Sequence, residues 1–142
     1  MKLKYLSVPT LIAVAIVTIG CGTKATETAA TPAKEIASQK SGDLVVALQS
    51  ESGDLVQGQN KFVVAFRNAS GQPVDAGKVS LSSSMAMPGM APMVASLELE
   101  PAGRPGTYVL SGNFAMSGAW TFEVRWDGPA GQGSTSFSTN VR

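Results

Sequence analysis

The chain has 142 residues, about one domain's worth, and with 44% hydrophobic and 15% charged residues it is apolar enough to fold and unlike a disordered charged tail. Eleven Lys and Arg stand against ten Asp and Glu without clustering, which leaves no basic surface for phosphates and argues against nucleic acid as a partner. Histidine is absent and Cys21 is the one cysteine, so His-dependent triads, His-ligated metals, internal disulfides and Cys-pair zinc sites are excluded together.

Met1 to Lys4 is a short positive segment and Leu11 to Ile19 an uninterrupted apolar run, the order of a signal peptide over residues 1–20. The run is shorter than the roughly 20 residues that a transmembrane helix needs. Gly20-Cys21-Gly22 follows directly and resembles the lipobox of bacterial lipoproteins, in which cleavage leaves an N-terminal cysteine bearing lipid. Thr18 stands where that pattern has Leu or another bulky aliphatic residue. The resemblance implies lipidation of Cys21 and attachment to a membrane through that lipid. An ordinary secretory cleavage near Gly20 is the other reading, and either one exports the domain to the cell envelope, facing the periplasm or the exterior.

Residues 22–42 are rich in Ala, Thr and Lys, lack aromatics and show no period that buries a face. Together with Cys21 they read as an anchor followed by a flexible tether, with a weak helical tendency between Ala29 and Lys40, and the folded domain is expected over 43–142. From Asp43 the pattern turns to period two, in short runs separated by Gly, Pro, Asn and Asp, as in an all-β sandwich. Seven runs are predicted as strands: Asp43 to Gln49, Asn60 to Asn68, Gly77 to Ser84, Val94 to Glu100, Thr107 to Phe114, Ala119 to Trp126 and Ser134 to Val141. Phe62, Val64 and Phe66 share one face of the second, and Trp120, Phe122, Val124 and Trp126 one face of the sixth. Gly106-Thr107-Tyr108 resembles the tyrosine corner of immunoglobulin-like sandwiches and predicts a phenol bonded to backbone near Glu100 to Arg104. The fold expected is an immunoglobulin-like sandwich of about seven strands without a disulfide.

Four methionines fall within nine residues, Met85, Met87, Met90 and Met93, and Met116 lies in the turn between the fifth and sixth runs. Thioethers are neutral, soft donors that select Cu(I) or Ag(I) over hard cations and need no deprotonation. If the third run continues to Met87, then Met85 and Met87 share the inward parity of Val79 and Leu81, while Pro88-Gly89 turns the chain and brings Met90 and Met93 back from a surface loop. Packing is the competing reading for Met85, Met87 and Met116, because methionine is also an adaptable core filler. Trp120, four residues after Met116 and inward by parity, is read as core or as an aromatic face beside a soft-metal site.

The order of these elements is similar to that of the YtkA-like family of exported β-sandwich domains, related to FixH-like proteins. The resemblance is carried by the strand with Phe62 to Arg67, by Met87-Pro88-Gly89-Met90, by Gly106-Thr107-Tyr108 and by Met116-Ser117-Gly118-Ala119-Trp120. It implies envelope placement and a link to copper handling, efflux or oxidase assembly. The family's further histidine ligands have no counterpart here, so any site is thioether-rich and suited to Cu(I), not Cu(II).

Catalysis finds little support. Glu98 and Glu100 share the outer face of one strand as solvated alternation, not as an acid/base pair. Ser82-Ser83-Ser84 has no histidine, nearby lysine or nucleophile elbow. Asn68-Ala69-Ser70 is read as hairpin chemistry in preference to a glycosylation acceptor. The expected function is therefore a lipid-anchored Cu(I)-binding module that works with copper efflux or oxidase-assembly proteins. The alternative is a metal-free interaction module contacting a membrane protein complex.

Overall fold

The computed structural model describes residues 33–142, so the signal segment, Cys21 and most of the expected tether lie outside the described residues. Nine strands follow in chain order: β1 (Lys34–Ser41), β2 (Leu44–Ser50), β3 (Gly58–Asn68), β4 (Lys78–Met85), β5 (Met93–Ala95), β6 (Leu97–Pro101), β7 (Thr107–Phe114), β8 (Gly118–Gly128) and β9 (Gly131–Val141). They form two antiparallel sheets, β1-β2-β3-β7-β6 and β5-β4-β8-β9. The fold is the all-β, immunoglobulin-like sandwich without a disulfide that the alternation predicts, and no helix occurs among the described residues.

Period two in the sequence is the cause of the layering. Phe62, Val64 and Phe66 of β3 and Trp120, Phe122, Val124 and Trp126 of β8 are all buried, while Thr121 and Arg125 between them are exposed. The inner faces meet through aromatic edges: Phe62 on Phe122 at 5.9 Å, Phe114 on Trp120 at 5.1 Å and Phe66 on Trp126 at 5.6 Å between centroids. Such pairs contribute about 0.5–1.5 kcal/mol each beyond the apolar area they bury.

Two features of the strand layout differ from the expectation. Lys34–Ser41, placed in the tether by its lack of aromatics, is strand β1, paired with β2 across a two-residue turn at Gly42-Asp43. An edge strand needs little apolar surface: Ile36 and Ala37 touch the core, and ladder hydrogen bonds hold the rest. The sandwich thus begins by Lys34 and not at Asp43. The run Val94 to Glu100 is two strands, β5 in one sheet and β6 in the other, with the chain crossing at Ser96. Met93, Ala95, Leu97 and Leu99 all pack against the core, so the inward parity survives the crossing and the sequence reads as one strand.

Tyr108 is buried as expected, but its hydroxyl donates to the Gly77 carbonyl at 2.8 Å and not to backbone between Glu100 and Arg104. The reason is directional. β6 and β7 are neighbours in one sheet, closed by the Ala102 N–H to Thr107 O bond, so an inward ring leaves their plane. It passes Phe66 at 5.7 Å and reaches the segment that enters β4 in the opposite sheet. There Asp75 Oδ1 accepts from the Gly77 N–H at 2.8 Å and fixes the acceptor. Instead of a corner within one sheet, Tyr108 is a polar tie between the two.

Burial first, and the Asp75 carboxylate second, raise the Tyr108 phenol above its ordinary value. The protonated phenol therefore adds stability that is fully present below about pH 10, the unfolded value, and is lost as pH rises through the higher folded value. Tyr108→Phe is expected to cost about 1 kcal/mol at neutral pH. Chemical denaturation at neutral pH checks that cost, and thermal melts from neutral to strongly alkaline pH should show the gap between wild type and variant closing as the phenol ionises.

Candidate functional site

The five methionines are carried by two loops that open at the same end of the sandwich. Met85 is the last residue of β4 and Met93 the first of β5, and the antiparallel register sets them opposite each other. Between them Met87-Pro88-Gly89-Met90 forms a reverse turn, closed by the Met90 N–H to Met87 O bond at 3.2 Å, with Pro at its second position and Gly at its third, where φ is +74°. That pattern is the signature of a type II turn. Met85, inward like Ser83, is 9% exposed. Met87 and Met93 are partly buried against the core, and Met90 is 67% exposed. Met93, expected in a surface loop, is therefore a strand residue with one side on the core.

The second loop joins β7 to β8 and holds Met116. Strand parity would turn Met116 inward after Phe114, but β7 ends at Phe114 and the Ala115 to Ser117 turn breaks the alternation, which leaves the side chain 42% exposed. The loop backbone is pinned twice: Trp120 Nε1–H donates to Met116 O at 3.0 Å, and Gln57 Nε2–H donates to Ala115 O at 2.8 Å. Gly118 brings it against the first loop. The φ of +139° favours glycine, and a Cβ at this position would lie 3.0 Å from Met85 Sδ, so a larger residue would also push the Met85 side chain aside by a few tenths of an ångström.

Trp120 is fully buried, edge-on to Phe114, and its link to the methionines is the indole hydrogen bond to the Met116 carbonyl. Its ring is a core element that fixes the Met116 loop. Near the methionines lies one unusual polar group. Ser83 Oγ is buried on the inner face of β4, two residues before Met85 and opposite Ala95, and has no hydrogen-bond partner among the described residues. Among the described residues no group of three or more His, Cys, Asp or Glu is positioned to hold a metal ion, so the candidate donors here are thioethers.

The other sequence candidates sit elsewhere. Ser82 and Ser84 face outward into a shallow concavity of about 410 Å³ on the β4-β8-β9 face, shared with Thr121, Glu123 and Ser136. Glu123 is engaged by Arg125 at 2.7 Å in an exposed ion pair. Glu98 and Glu100 are exposed on β6. Asn68 Oδ1 accepts from the Ser70 and Gln72 amides at 3.0 and 2.9 Å, the turn chemistry read from Asn68-Ala69-Ser70.

The sequence model of a family described as YtkA-like matches residues 38–125, a span that includes all five methionines and Trp120. No curated protein matches the chain. Among solved structures, a ZirS C-terminal domain is similar over 100% of this chain and 86% of its own, with 11% identity and a TM-score of 0.43.

Burial separates the methionines by role in stability. Met85→Ala should cost about 2–5 kcal/mol as a large-to-small change in the core. Met90→Ala should stay within about 0.5 kcal/mol, as an exposed substitution does. Chemical denaturation of the two variants beside wild type measures both.

Proposed function

This chain belongs to the YtkA-like family, and we propose that it is an exported, lipid-anchored module that binds Cu(I) through thioethers at one end of its sandwich, serving copper handling or efflux. The supporting observation is the juxtaposition of two methionine-bearing loops distant in sequence: the one with the Met85–Met93 register pair and the Met87–Met90 turn, and the Met116 loop, whose neighbour Gly118 abuts the Met85 sulfur. The donor chemistry fits. Thioether sulfur is soft and uncharged, prefers Cu(I) or Ag(I) to zinc, calcium or magnesium, and keeps its lone pairs at low pH. Met90 and Met116 supply the exposed donors, Met87 and Met93 are partly buried against the core, and Met85 belongs to it. A site built on exposed side chains over a pinned backbone exchanges its metal readily, which suits carriage to an efflux or oxidase-assembly partner. The reading is one of binding, not catalysis.

A second reading draws on the same exposure. Met90, Met116 and Val94, the last 74% exposed, offer adaptable apolar surface for a membrane protein complex without any metal. Leucine separates the two. Replacing Met90 and Met116 together by Leu keeps bulk and apolarity at a cost under about 1.5 kcal/mol. The variant is expected to lose most Cu(I) and Ag(I) binding in a titration against a competing chelator while its melt stays close to wild type. Equal metal binding by the two proteins would remove Met90 and Met116 from the site, and absence of binding by wild type would leave the apolar contact as the function.

The anchor is proposed on Cys21, which lies outside the described residues. Cys21→Ser is expected to move the processed protein from the membrane to the soluble exported fraction, as read by fractionation. A processed variant that stays with the membrane would overturn the anchor.

A further inference from the structure

The sulfurs at this end of the sandwich are graded in access. Met90 is 67% and Met116 42% exposed, Met87 and Met93 are partly buried, and Met85 is 9% exposed with Gly118 backbone against its sulfur. Met90 and Met116 lie outside the hydrophobic cluster, whereas Met85 is part of it and Met87 and Met93 pack on it. The backbone beneath the exposed pair is held by groups that thioether chemistry leaves untouched. These are the Trp120 Nε1–H bond to Met116 O, the Gln57 bond to Ala115 O and the turn bond from Met90 N–H to Met87 O.

We infer that Met90 and Met116 are an oxidant-sensitive rim, converted by hydrogen peroxide to methionine sulfoxides that disable the thioether site without unfolding the sandwich. This rests on the soft-donor function proposed above. In the step, a sulfur lone pair attacks one peroxide oxygen, and an S–O bond forms as the O–O bond breaks. Sulfur is oxidised by two electrons and peroxide is reduced. The departing hydroxide takes the proton from the transferred oxygen and leaves as water.

The product changes chemistry without changing the scaffold. A sulfoxide presents a hard oxygen where a soft sulfur stood, and Cu(I) and Ag(I) bind such oxygen poorly. Because neither side chain contributes to the core, the added oxygen displaces no packed atom. The buried Met85 sulfur serves as an internal reference within the same protein. The modification is reversible by the pair of methionine sulfoxide reductases, one for each sulfoxide epimer.

The test treats the purified protein with limiting hydrogen peroxide and follows three readouts: peptide mass mapping, thermal melting, and Ag(I) titration against a competing chelator. Sulfoxide should appear first at Met90 and next at Met116, with Met85 at least about tenfold slower, since susceptibility follows exposure. The melting midpoint should hold, and Ag(I) affinity should fall at least about tenfold as two soft donors are lost, then return after treatment with both reductases. Oxidation of Met85 as fast as Met90, a lowered melting midpoint once Met90 and Met116 are oxidised, or unchanged Ag(I) binding at that stage would each overturn this inference alone. Absence of Ag(I) binding by the untreated protein would overturn the soft-donor function and this inference with it.

Discussion

Everything else in the molecule depends on two sheets holding together without a covalent link. With one cysteine in the chain there is no internal disulfide, so the inner faces must supply the cohesion by packing alone. They do so with rings set mostly edge to face: Phe62 and Phe114, tilted against each other in one sheet, both meet Phe122 edge-on from the other, and Phe66 bridges Tyr108 and Trp126. Aromatic edges against aromatic faces fix the distance and angle between the sheets more narrowly than aliphatic contacts would. That rigidity lets the chain place chemically soft side chains on short loops with little support of their own.

The same interior sets the position of the loops. Trp120 belongs to the aromatic core, yet its indole N–H reaches out to the Met116 carbonyl, so the register of the β7–β8 turn is tied to the packing of a fully buried ring. Met85 works in the opposite sense: it is one of the methionines of the candidate site and at the same time a member of the hydrophobic cluster. Core and site therefore share atoms. Ser83 marks a cost of that arrangement, because its buried hydroxyl has no partner among the described residues, and such a group forfeits about 1–3 kcal/mol of hydration.

Most of the fold was legible because burial on one face writes period two into a strand. Phe62 to Phe66 and Trp120 to Trp126 could be assigned inward from alternation alone, and they are. The signal fails where the physics is not alternation. β1 carries no such signal, because an edge strand is held largely by backbone ladder hydrogen bonds that most residue types can make. The crossing at Ser96 left no trace because both neighbouring strands keep the same inward parity. For Tyr108 the motif specifies burial but not the partner, since a local pattern does not say which sheet the ring will reach. At the candidate site the methionine cluster was visible as composition. The supports were not: Gln57 lies 58 residues from its carbonyl partner, and the Gly118 contact with Met85 joins segments that only the sheet brings together.

The direction in which β1 is paired has a mechanical consequence. Its first residue, Lys34, lies opposite Ser50, and its last, Ser41, meets Leu44 at the hairpin turn. A load arriving along the chain that precedes Lys34 therefore acts at the open end of the hairpin, where the ladder yields one rung at a time as a zipper does. Shearing the ladder would demand that all its rungs break together. If the anchor proposed at Cys21 puts the chain under tension, a peeled edge strand adds about 3.4 Å of extended chain for each residue released. The aromatic interior and the loops it positions stay unloaded until that reserve is spent.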